Sequence, residues 1–314
     1  DLVRSRGLGD VYKRQEYYNK YSVDLLAAIN GSPTQGFGYT TLMTNNGKMV
    51  NRGVEITLSG EIIRQKDFSW NASLLYAFNR NKVKHISVQP SLWDSRISMP
   101  TSYPMVGKPL YGIYAYKWAG LNENGDPQVY DAENNVTSGP ARDYHALVYC
   151  GTTVPIHNAS LTNVLRYKGF EFSAMLILDA GHKLRSSNIP SINMSNGRIT
   201  STAKGIVDRW TQPGDVTDVP RLLFSNDTEN FNTHRTELYR YSDLFVYDAS
   251  NIRLSNISLA YRVPAHWCKK ISLSGARLQF NVENVATFAF DSKANYDLGG
   301  KVKPNYVWGL YLNF

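Results

Sequence analysis

The residue types that support catalysis or metal binding are few in this sequence and lack the spacings that such chemistry needs. The chain has two cysteines, Cys150 and Cys268, and six histidines in 314 residues. No cysteine pair has metal-ligand spacing, and no HxH, HExxH, GxSxG, Walker or GxGxxG stretch occurs. The sequence therefore predicts a protein that is not an enzyme and that holds no cofactor and no metal.

One segment is similar to a calcium-binding loop. Residues 122–126 read NENGD, and Glu133 stands where an EF-hand would supply its bidentate carboxylate. Flanking helices are not evident, and Asn-Gly is also the strongest short signal for a hairpin turn. We expect a plain turn at residues 122–126, with calcium binding as the alternative.

Aromatic residues are the strongest candidates for binding. Tyrosine is abundant, with 21 residues, and aromatic residues make up 12% of the chain. Membrane barrels place such side chains in girdles at both interfaces, and sugar-binding proteins use aromatic faces for stacking. Trp93, Tyr103 and Trp210 lie in long connections. Each is a candidate for contact with a substrate or a partner protein, and packing within the loops is the alternative.

The formal net charge of +8 would suit a nucleic-acid-binding protein. The lysines and arginines are, however, dispersed over many segments and form no basic block. We therefore expect a basic surface and no nucleic-acid partner.

Alternation of apolar and polar residues dominates the chain. It is clearest in residues 54–62, 68–78, 170–178 and 277–283. Each segment is typical of a strand with one apolar and one polar face. About nine strands are expected, without a convincing helix and without an apolar run long enough for a transmembrane helix.

Short and long connections alternate between these strands. The short ones are 64–66, 167–169 and 264–269, and the long ones are 81–157, 182–243 and 286–303. The first two long connections have room for a further strand pair. Loops of this length are uncommon in compact soluble domains, whereas short turns at one end and long loops at the other are typical of outer-membrane barrels.

The C-terminus favours the same fold. Residues 306–314 read YVWGLYLNF, so every second residue back from Phe314, including Leu312 and Leu310, is aromatic or aliphatic. Soluble domains usually end in frayed, polar residues. Phe314, Leu312 and Leu310 are therefore candidates for the terminal signal that the barrel-assembly machinery reads, with an ordinary buried strand as the alternative.

The first fifteen residues differ from the rest. Residues 5–15 read SRGLGDVYKRQ, which resembles the conceptual translation of a sequencing adapter at the edge of a contig. A genuine basic linker is the alternative. We expect residues 1–15 to be foreign to the protein and to have no place in the barrel, and we take residues 16–314 as the native part.

Several motifs together are similar to one family. They are NRGVEITL (51–58), FNRNKV (78–83), VGKPLYGIY (106–114), AGLNENGDP (119–127), YKGF (167–170), RWTQPGD (209–215), VPR (219–221), DASNIRLSNISLAY (248–261) and NVEN (281–284). Each motif alone is weak, but their order resembles the C-terminal barrel half of the SusC/RagA-like TonB-linked outer-membrane proteins over nearly all of residues 16–314.

This resemblance implies more than the residues themselves do. It implies the C-terminal portion of a large antiparallel transmembrane β-barrel, of the TonB-dependent receptor type, with short periplasmic turns and long extracellular loops. A signal peptide and a plug domain would precede it. The expected function is energised import of an oligosaccharide or peptide across a Gram-negative outer membrane, with a member of the Bacteroidota as the expected source. The expected partners are a SusD-like surface lipoprotein, the TonB–ExbB–ExbD complex, the barrel-assembly machinery and outer-membrane lipid.

Two alternative functions stay open. A TonB-dependent siderophore receptor would share the fold, and a secreted glycan-binding adhesin would also use aromatic residues. A neighbouring gene for the partner lipoprotein would favour the SusC/RagA-like importer over the siderophore receptor. Solubility without detergent would favour the adhesin.

The expected topology also makes predictions about individual side chains. Arg253, Arg277 and Glu283 stand at polar positions of their strands, and we expect that face to line the lumen or to contact the plug. Cys268 falls in a periplasmic turn and Cys150 near the outer surface. A disulfide needs Cα atoms within about 7 Å, so we expect two free thiols.

Overall fold

The computed structural model describes residues 11–30, 41–88, 95–139, 143–194, 203–224, 233–298 and 303–314. Within them it has seventeen strands: β1 (Val11–Asn30), β2 (Thr41–Arg64), β3 (Phe68–His85), β4 (Gly112–Tyr116), β5 (Trp118–Leu121), β6 (Pro127–Tyr130), β7 (Val136–Thr137), β8 (Leu147–Thr152), β9 (His157–Tyr167), β10 (Phe170–Ala180), β11 (Lys183–Arg185), β12 (Asn193–Met194), β13 (Leu223–Phe224), β14 (Val246–Asp248), β15 (Asn251–Arg262), β16 (Gly275–Ala289) and β17 (Asn305–Asn313).

The helices are short. They are α1 (Ser95–Ser98), α2 (Thr233–Arg240), α3 (Ala265–Cys268) and α4 (Asn295–Leu298), with 3-10 turns at Tyr144–Ala146, Lys204–Asp208, Asp243–Phe245, Lys269–Ile271 and Ser292–Ala294. In the described part of the chain, no helix is long and apolar enough to cross a membrane.

Eight strands form one large antiparallel sheet, in the order β1-β2-β3-β9-β10-β15-β16-β17. Every neighbouring pair is antiparallel. Strands β1 and β17 are its two edges, so the sheet is open among the described residues. The predicted all-β fold, a portion of a large antiparallel barrel, is confirmed.

The connections of this sheet alternate in length as the sequence predicts. Residues 65–67 join β2 to β3, residues 168–169 join β9 to β10, and residues 263–274 join β15 to β16. The last of these contains α3 and a 3-10 turn, so it is less tight than the sequence suggests. The other ends of the strands carry the long connections 86–156, 181–250 and 290–304.

The long connections differ from the prediction in one respect. They do contain short strands, but these strands pair in small sheets of their own and do not join the large sheet. Strands β4 and β8 pair with each other, as do β11 and β14. The large sheet therefore has eight strands where the sequence suggested about nine, and the parity of the strands is unchanged.

Strand β1 also departs from the prediction, because it begins at Val11 within the segment that resembles an adapter. Residues Val11 to Gln15 pair with β2, so the expectation that all of residues 1–15 stand apart from the sheet is wrong for these five. Any extended segment can satisfy the backbone groups of an edge strand, since pairing uses N–H and C=O groups that all residues except proline share. The pairing therefore does not bear on the origin of the segment.

One side chain in this segment does bear on its origin. Lys13 is opposite Leu58, which continues through Leu74 and Leu161 to Leu176 as one row across four neighbouring strands. That row lies in the middle of the apolar face. A lysine at such a depth on a lipid-facing surface costs about 2–4 kcal/mol. The foreign origin of the segment stays a prediction, and this mismatch is a reason to test it.

We therefore predict that the native gene does not encode SRGLGDVYKRQ at this place. Sequencing the intact locus from genomic DNA checks this, and the native residue opposite Leu58 is expected to be apolar or small. An in-frame SRGLGDVYKRQ with further protein upstream of it would contradict the prediction.

Candidate functional site: a polar sheet face and a folded outer layer

The large sheet has one mainly apolar face because the registers of its strands match the alternation of their residues. Asn163 is a polar residue on this face, and it accepts a hydrogen bond from Trp70 Nε1 at 3.1 Å. At the end with short turns, an aromatic row runs through Phe68, Tyr167, Phe170 and Tyr261. The rings of Phe170 and Tyr261 are 4.5 Å apart. At the other end of the face, Phe78 and His157 are opposite each other, with ring centroids 5.3 Å apart.

The height of this face matches a membrane. Phe68 and Phe78 are both on β3, and ten residues of rise correspond to about 33 Å along the strand. With the tilt of about 40° that is usual in membrane barrels, the band would be about 25 Å tall. Aromatic residues toward both ends, Trp70 and Tyr76 among them, and a row of leucines in the middle are what a lipid-facing barrel wall requires.

The opposite face is polar. One row across it consists of Ser59, Ser73, Thr162, Met175, Asn256, Glu283 and Asn305. Since cross-strand partners share a face, the three residues predicted to line the lumen can be placed from the register. Arg253, Arg277 and Glu283 all lie on this polar face.

These three residues are held by polar neighbours on adjacent strands. Arg253 Nη2 donates to Asp179 Oδ2 at 3.3 Å, and Asp179 also accepts from Asn158 at 2.7 Å. Glu283 accepts from Asn305 Nδ2 at 3.2 Å. Each predicted residue therefore belongs to a local hydrogen-bonded group, but the three are spread over the face and do not form one site.

The strongest charged group on the polar face lies near the short turns. Glu171 accepts from Arg166 Nε at 2.8 Å and from Arg277 Nη2 at 3.1 Å. All three side chains are partly exposed, so each pair contributes at most about 1 kcal/mol. The sequence analysis identified Arg277 but missed Arg166 and Glu171. Their positions in the alternating pattern of β9 and β10 already placed them on the polar face of a hairpin.

The well-packed core of the chain lies in the long connections and not in the sheet. We use "outer layer" for the described parts of residues 95–152 and 182–249. Its largest cluster consists of Tyr114, Tyr116, Val129, Ala146, Leu147 and Leu238. Leu238 comes from the second long connection and the other five from the first. The two connections therefore fold together as one body with its own core.

An ion-pair group ties the outer layer together. Arg235 is 2% exposed, and its Nε donates to Asp126 Oδ1 at 3.1 Å. Arg235 also donates to the carbonyl oxygens of Ile192 at 3.1 Å and Arg221 at 2.7 Å. Arg221 makes a bidentate pair with the same Asp126 carboxylate, at 3.0 and 2.8 Å. Burial lowers the pKa of Arg235, and the charge of Asp126 counteracts that effect.

This geometry explains the segment that is similar to a calcium loop. Asn122 Oδ1 accepts from the backbone N–H groups of Asn124 at 3.0 Å and Asp126 at 2.9 Å, which closes a turn. The Asp126 carboxylate is occupied by two arginines. No group of three or more metal-ligating side chains occurs among the described residues. Sequence reasoning missed Asp126, Arg221 and Arg235 as a unit because they are far apart in the chain.

Trp210 is part of the same scaffold. A methyl group added at Gly125 would lie 2.4 Å from Trp210 Cδ2, so the indole packs directly on the turn. Gly125 also has φ +74, which favours glycine. Trp210 is half-buried, and whether it touches a substrate stays a prediction.

The other two aromatic candidates have different positions. Tyr103 is half-buried, and its carbonyl oxygen accepts from Arg96 Nε at 3.3 Å. Trp93 lies outside the described residues. A substrate contact stays a prediction for Trp93 and Tyr103 as well.

The chain terminus has the predicted alternation. Leu310 and Leu312 are opposite Leu278 and Ala276 on the apolar face, and Phe314, which follows the last strand, is 91% exposed. Strand β17 is an edge, so this surface is open to a neighbouring strand. A role in barrel assembly stays a prediction.

Both cysteines are free, as predicted. Cys150 is in β8 of the outer layer, and Cys268 ends α3 in the connection between β15 and β16. These elements are at opposite ends of the sheet. Burial raises the pKa of the Cys150 thiol to about 11, with a smaller contribution from Asp243 in the same direction.

An antiparallel sheet with a membrane-high apolar face, a polar face and long loops at one end defines a wall of an outer-membrane β-barrel. Comparisons with known proteins show what the chain is similar to. No family model matches the chain. Its sequence is 24% identical over 87% of its length to TonB-dependent receptor P3 of Formosa agariphila, and 26% identical over 86% to TonB-dependent receptor P26 of the same organism. It is 22% identical over 79% to TonB-dependent receptor SusC of Bacteroides thetaiotaomicron.

The fold agrees with these relatives. A solved structure of the RagAB peptide transporter matches 97% of the chain with a TM-score of 0.72 and 21% sequence identity. The chain spans 28% of TonB-dependent receptor P3 and 33% of the matched RagAB chain. The chain is thus similar in sequence and fold to part of the barrel of SusC/RagA-like TonB-dependent receptors.

We predict that Arg235→Met in the complete receptor loosens the outer layer by about 3 kcal/mol, because it removes one partner of a buried ion pair and leaves carbonyl oxygens unsatisfied. Proteolysis of the outer loops should become more than about 100-fold faster. The matched control is Arg64→Met. Arg64 has a 77% exposed side chain and pairs with Glu61 at 3.4 Å, so the control should change the rate less than about fivefold. Equal rates for both variants would contradict the assigned role of Arg235.

The cysteines test topology and chemistry together. In intact cells, a membrane-impermeant maleimide should modify Cys150 and spare Cys268. Because Cys268 is also buried, with 1% exposure, it should react only after the outer membrane is opened and the protein is unfolded. Because a pKa of about 11 keeps Cys150 protonated, its labelling rate should still rise about tenfold per pH unit at pH 9.5, where an ordinary thiol has levelled off. Labelling of Cys268 in intact cells, or a plateau for Cys150 near pH 9, would contradict these assignments.

Proposed function

We propose that this chain forms part of the barrel wall of a TonB-energised importer of oligosaccharides or peptides in the outer membrane of a member of the Bacteroidota. The similarity to the RagAB peptide transporter over 97% of the chain is the observation that carries the proposal. The relatives from Formosa and Bacteroides support the source. The TonB–ExbB–ExbD complex would supply the energy through parts of the receptor outside this chain.

In this proposal the polar face lines the lumen. Arg253, Arg277 and Glu283 would then present charge and hydrogen-bonding groups to the passing nutrient or to a plug. Arg253 and Glu283 are opposite in charge and lie on strands that are direct neighbours, β15 and β16. Such mixed polarity suits a hydrated passage for neutral or zwitterionic nutrients better than a passage for one sign of charge.

The outer layer would be the docking surface for a SusD-like lipoprotein. Its buried core and the Arg235–Asp126–Arg221 group hold it in one shape. A preformed surface can bind a partner without the entropy cost of ordering loops. Phe314 with Leu312 and Leu310 would serve recognition by the barrel-assembly machinery.

The function can be tested in the organism that carries the gene. A strain that lacks the complete receptor should lose growth on one class of oligosaccharide or on peptides as the sole source, and should regain it with the wild-type gene. Complementation with Arg235→Met should restore growth poorly, whereas the control Arg64→Met should restore it fully. Immunoblots of outer membranes must show equal amounts of both variants.

The lipoprotein partner needs its own test. Affinity purification of the complete receptor from detergent extracts should co-purify the lipoprotein that is encoded beside it, and less of it with Arg235→Met. A growth defect only under iron limitation would instead indicate a siderophore receptor. Recovery of the protein from the medium without detergent would contradict an outer-membrane importer.

A further inference from the structure

A cluster of unpaired cations lies just beyond the apolar band, on the same face of the sheet. Arg52 and Arg80 are opposite each other, two residues beyond the opposite pair Val54 and Phe78. Lys82 follows two residues further along β3, opposite Val50. Because alternate residues share a face, all three cations project to the side that carries the apolar band.

The position of this cluster corresponds to a lipid headgroup layer. Two to four residues beyond Phe78 correspond to about 7–13 Å along the strand, or about 5–10 Å along the membrane normal at a tilt of about 40°. The polar layer of a bilayer extends about 5–8 Å beyond the hydrocarbon on each side. The end of the sheet that carries the cluster is also the end with the long loops, which is the extracellular side of the barrel.

The cluster has no acidic partner in the described part of the chain. Arg52 Nε donates to the neutral Asn19 Oδ1 at 3.1 Å, and neither Arg80 nor Lys82 takes part in an ion pair there. All three side chains are exposed. Like charges directly opposite each other on adjacent strands destabilise a sheet, so the Arg52–Arg80 pair is unfavourable unless an anion lies between the two guanidinium groups.

A fourth cation stands beside this group. Lys108 and Arg80 both line a cavity of 150 Å³ at the edge of β3. Lys108 Nζ lies 4.9 Å from the centre of the Tyr149 ring, which holds it next to the cavity. On the outward face, Arg52 and Arg80 thus offer guanidinium forks and Lys82 an ammonium group, a combination that suits the oxygens of a phosphate group.

We propose that Arg52, Arg80 and Lys82 form a binding site for the phosphate of a phosphorylated glycolipid in the outer leaflet. The acyl chains of that lipid would lie against the apolar band below, and the phosphate would bridge Arg52 and Arg80. Continuity with the lipid-facing band favours a lipid phosphate over a free anion. The inference rests on the placement of the sheet in the membrane and not on which nutrient is carried.

The test uses the complete receptor in detergent and measures binding of phosphorylated lipid A by native mass spectrometry. Each cation near a membrane surface contributes about a fivefold factor to such binding, so Arg52→Gln, Arg80→Gln and Lys82→Gln together should weaken it on the order of 100-fold. The matched control removes three exposed lysine charges at the opposite end, with Lys66→Gln, Lys269→Gln and Lys270→Gln, and should change binding less than fivefold. Lipid A treated with phosphatase should bind wild type as weakly as the triple variant binds the intact lipid.

Folding and anion identity are checked in the same samples. Without lipid, the triple variant should unfold at or above the temperature of wild type, since the Arg52–Arg80 repulsion is gone, and added lipid A should raise only the wild-type temperature. Inorganic phosphate at equal concentration should leave both temperatures unchanged. Equal binding by both triple variants, by dephosphorylated lipid, or by inorganic phosphate would overturn the proposal. A loss of nutrient uptake with intact lipid binding would affect only the proposed function.

Discussion

Backbone hydrogen bonding inside a membrane is the constraint on which this structure depends. A hydrocarbon layer offers no water, so every backbone N–H and C=O at that depth must pair within the sheet. Eight antiparallel strands meet this requirement everywhere except along the outer edges of β1 and β17. Those edges are also where exposed apolar side chains concentrate, with Tyr17 at 72% and Trp308 at 78%. Both edges therefore need neighbouring strands, as the edges of a wall segment in a larger barrel do.

Strict pairing also determines what each residue can do. Since the ladder fixes which side chains share a face, Leu74 contributes to a lipid surface while its neighbour Ser73 contributes to the polar face. A sheet between lipid and a lumen needs no packed core on either side, and few of its residues are buried. The packed core is in the outer layer, because that layer lies in water and must stabilise itself. Arg235, in contact with Asp126, is the clearest case of a polar residue that this core requires.

Much of the large sheet could be predicted from the sequence, because the alternation of apolar and polar residues indicates directly which face of the sheet each residue occupies. The strands, the short turns such as the one at Lys168 and the long loops follow from the alternation of apolar and polar residues and from the turn-forming residues between the alternating segments. The outer layer could not be predicted in the same way. Its contacts join residues such as Asp126 and Arg235, which are more than a hundred positions apart, and short strands such as β12 and β13 carry no periodic signal. The turn that is similar to a calcium-binding loop illustrates this limit of sequence-based prediction. From the sequence alone, the Asp126 carboxylate could bind a metal ion or an arginine, and its neighbours in the fold decide between the two.

The central claim is that alternate residues of one strand face lipid and lumen. Leu161 and Ser160 are adjacent on β9, on the apolar and the polar face respectively. Nitroxide labels at Leu161→Cys and Ser160→Cys, in a complete receptor without its native cysteines and reconstituted in lipid, test this by their collision rates with oxygen and with a water-soluble nickel chelate. We expect the label at residue 161 to collide strongly with oxygen and hardly with nickel, and the label at residue 160 to collide much less with oxygen. Equal oxygen accessibility at the two positions, or the reverse order, would contradict the account.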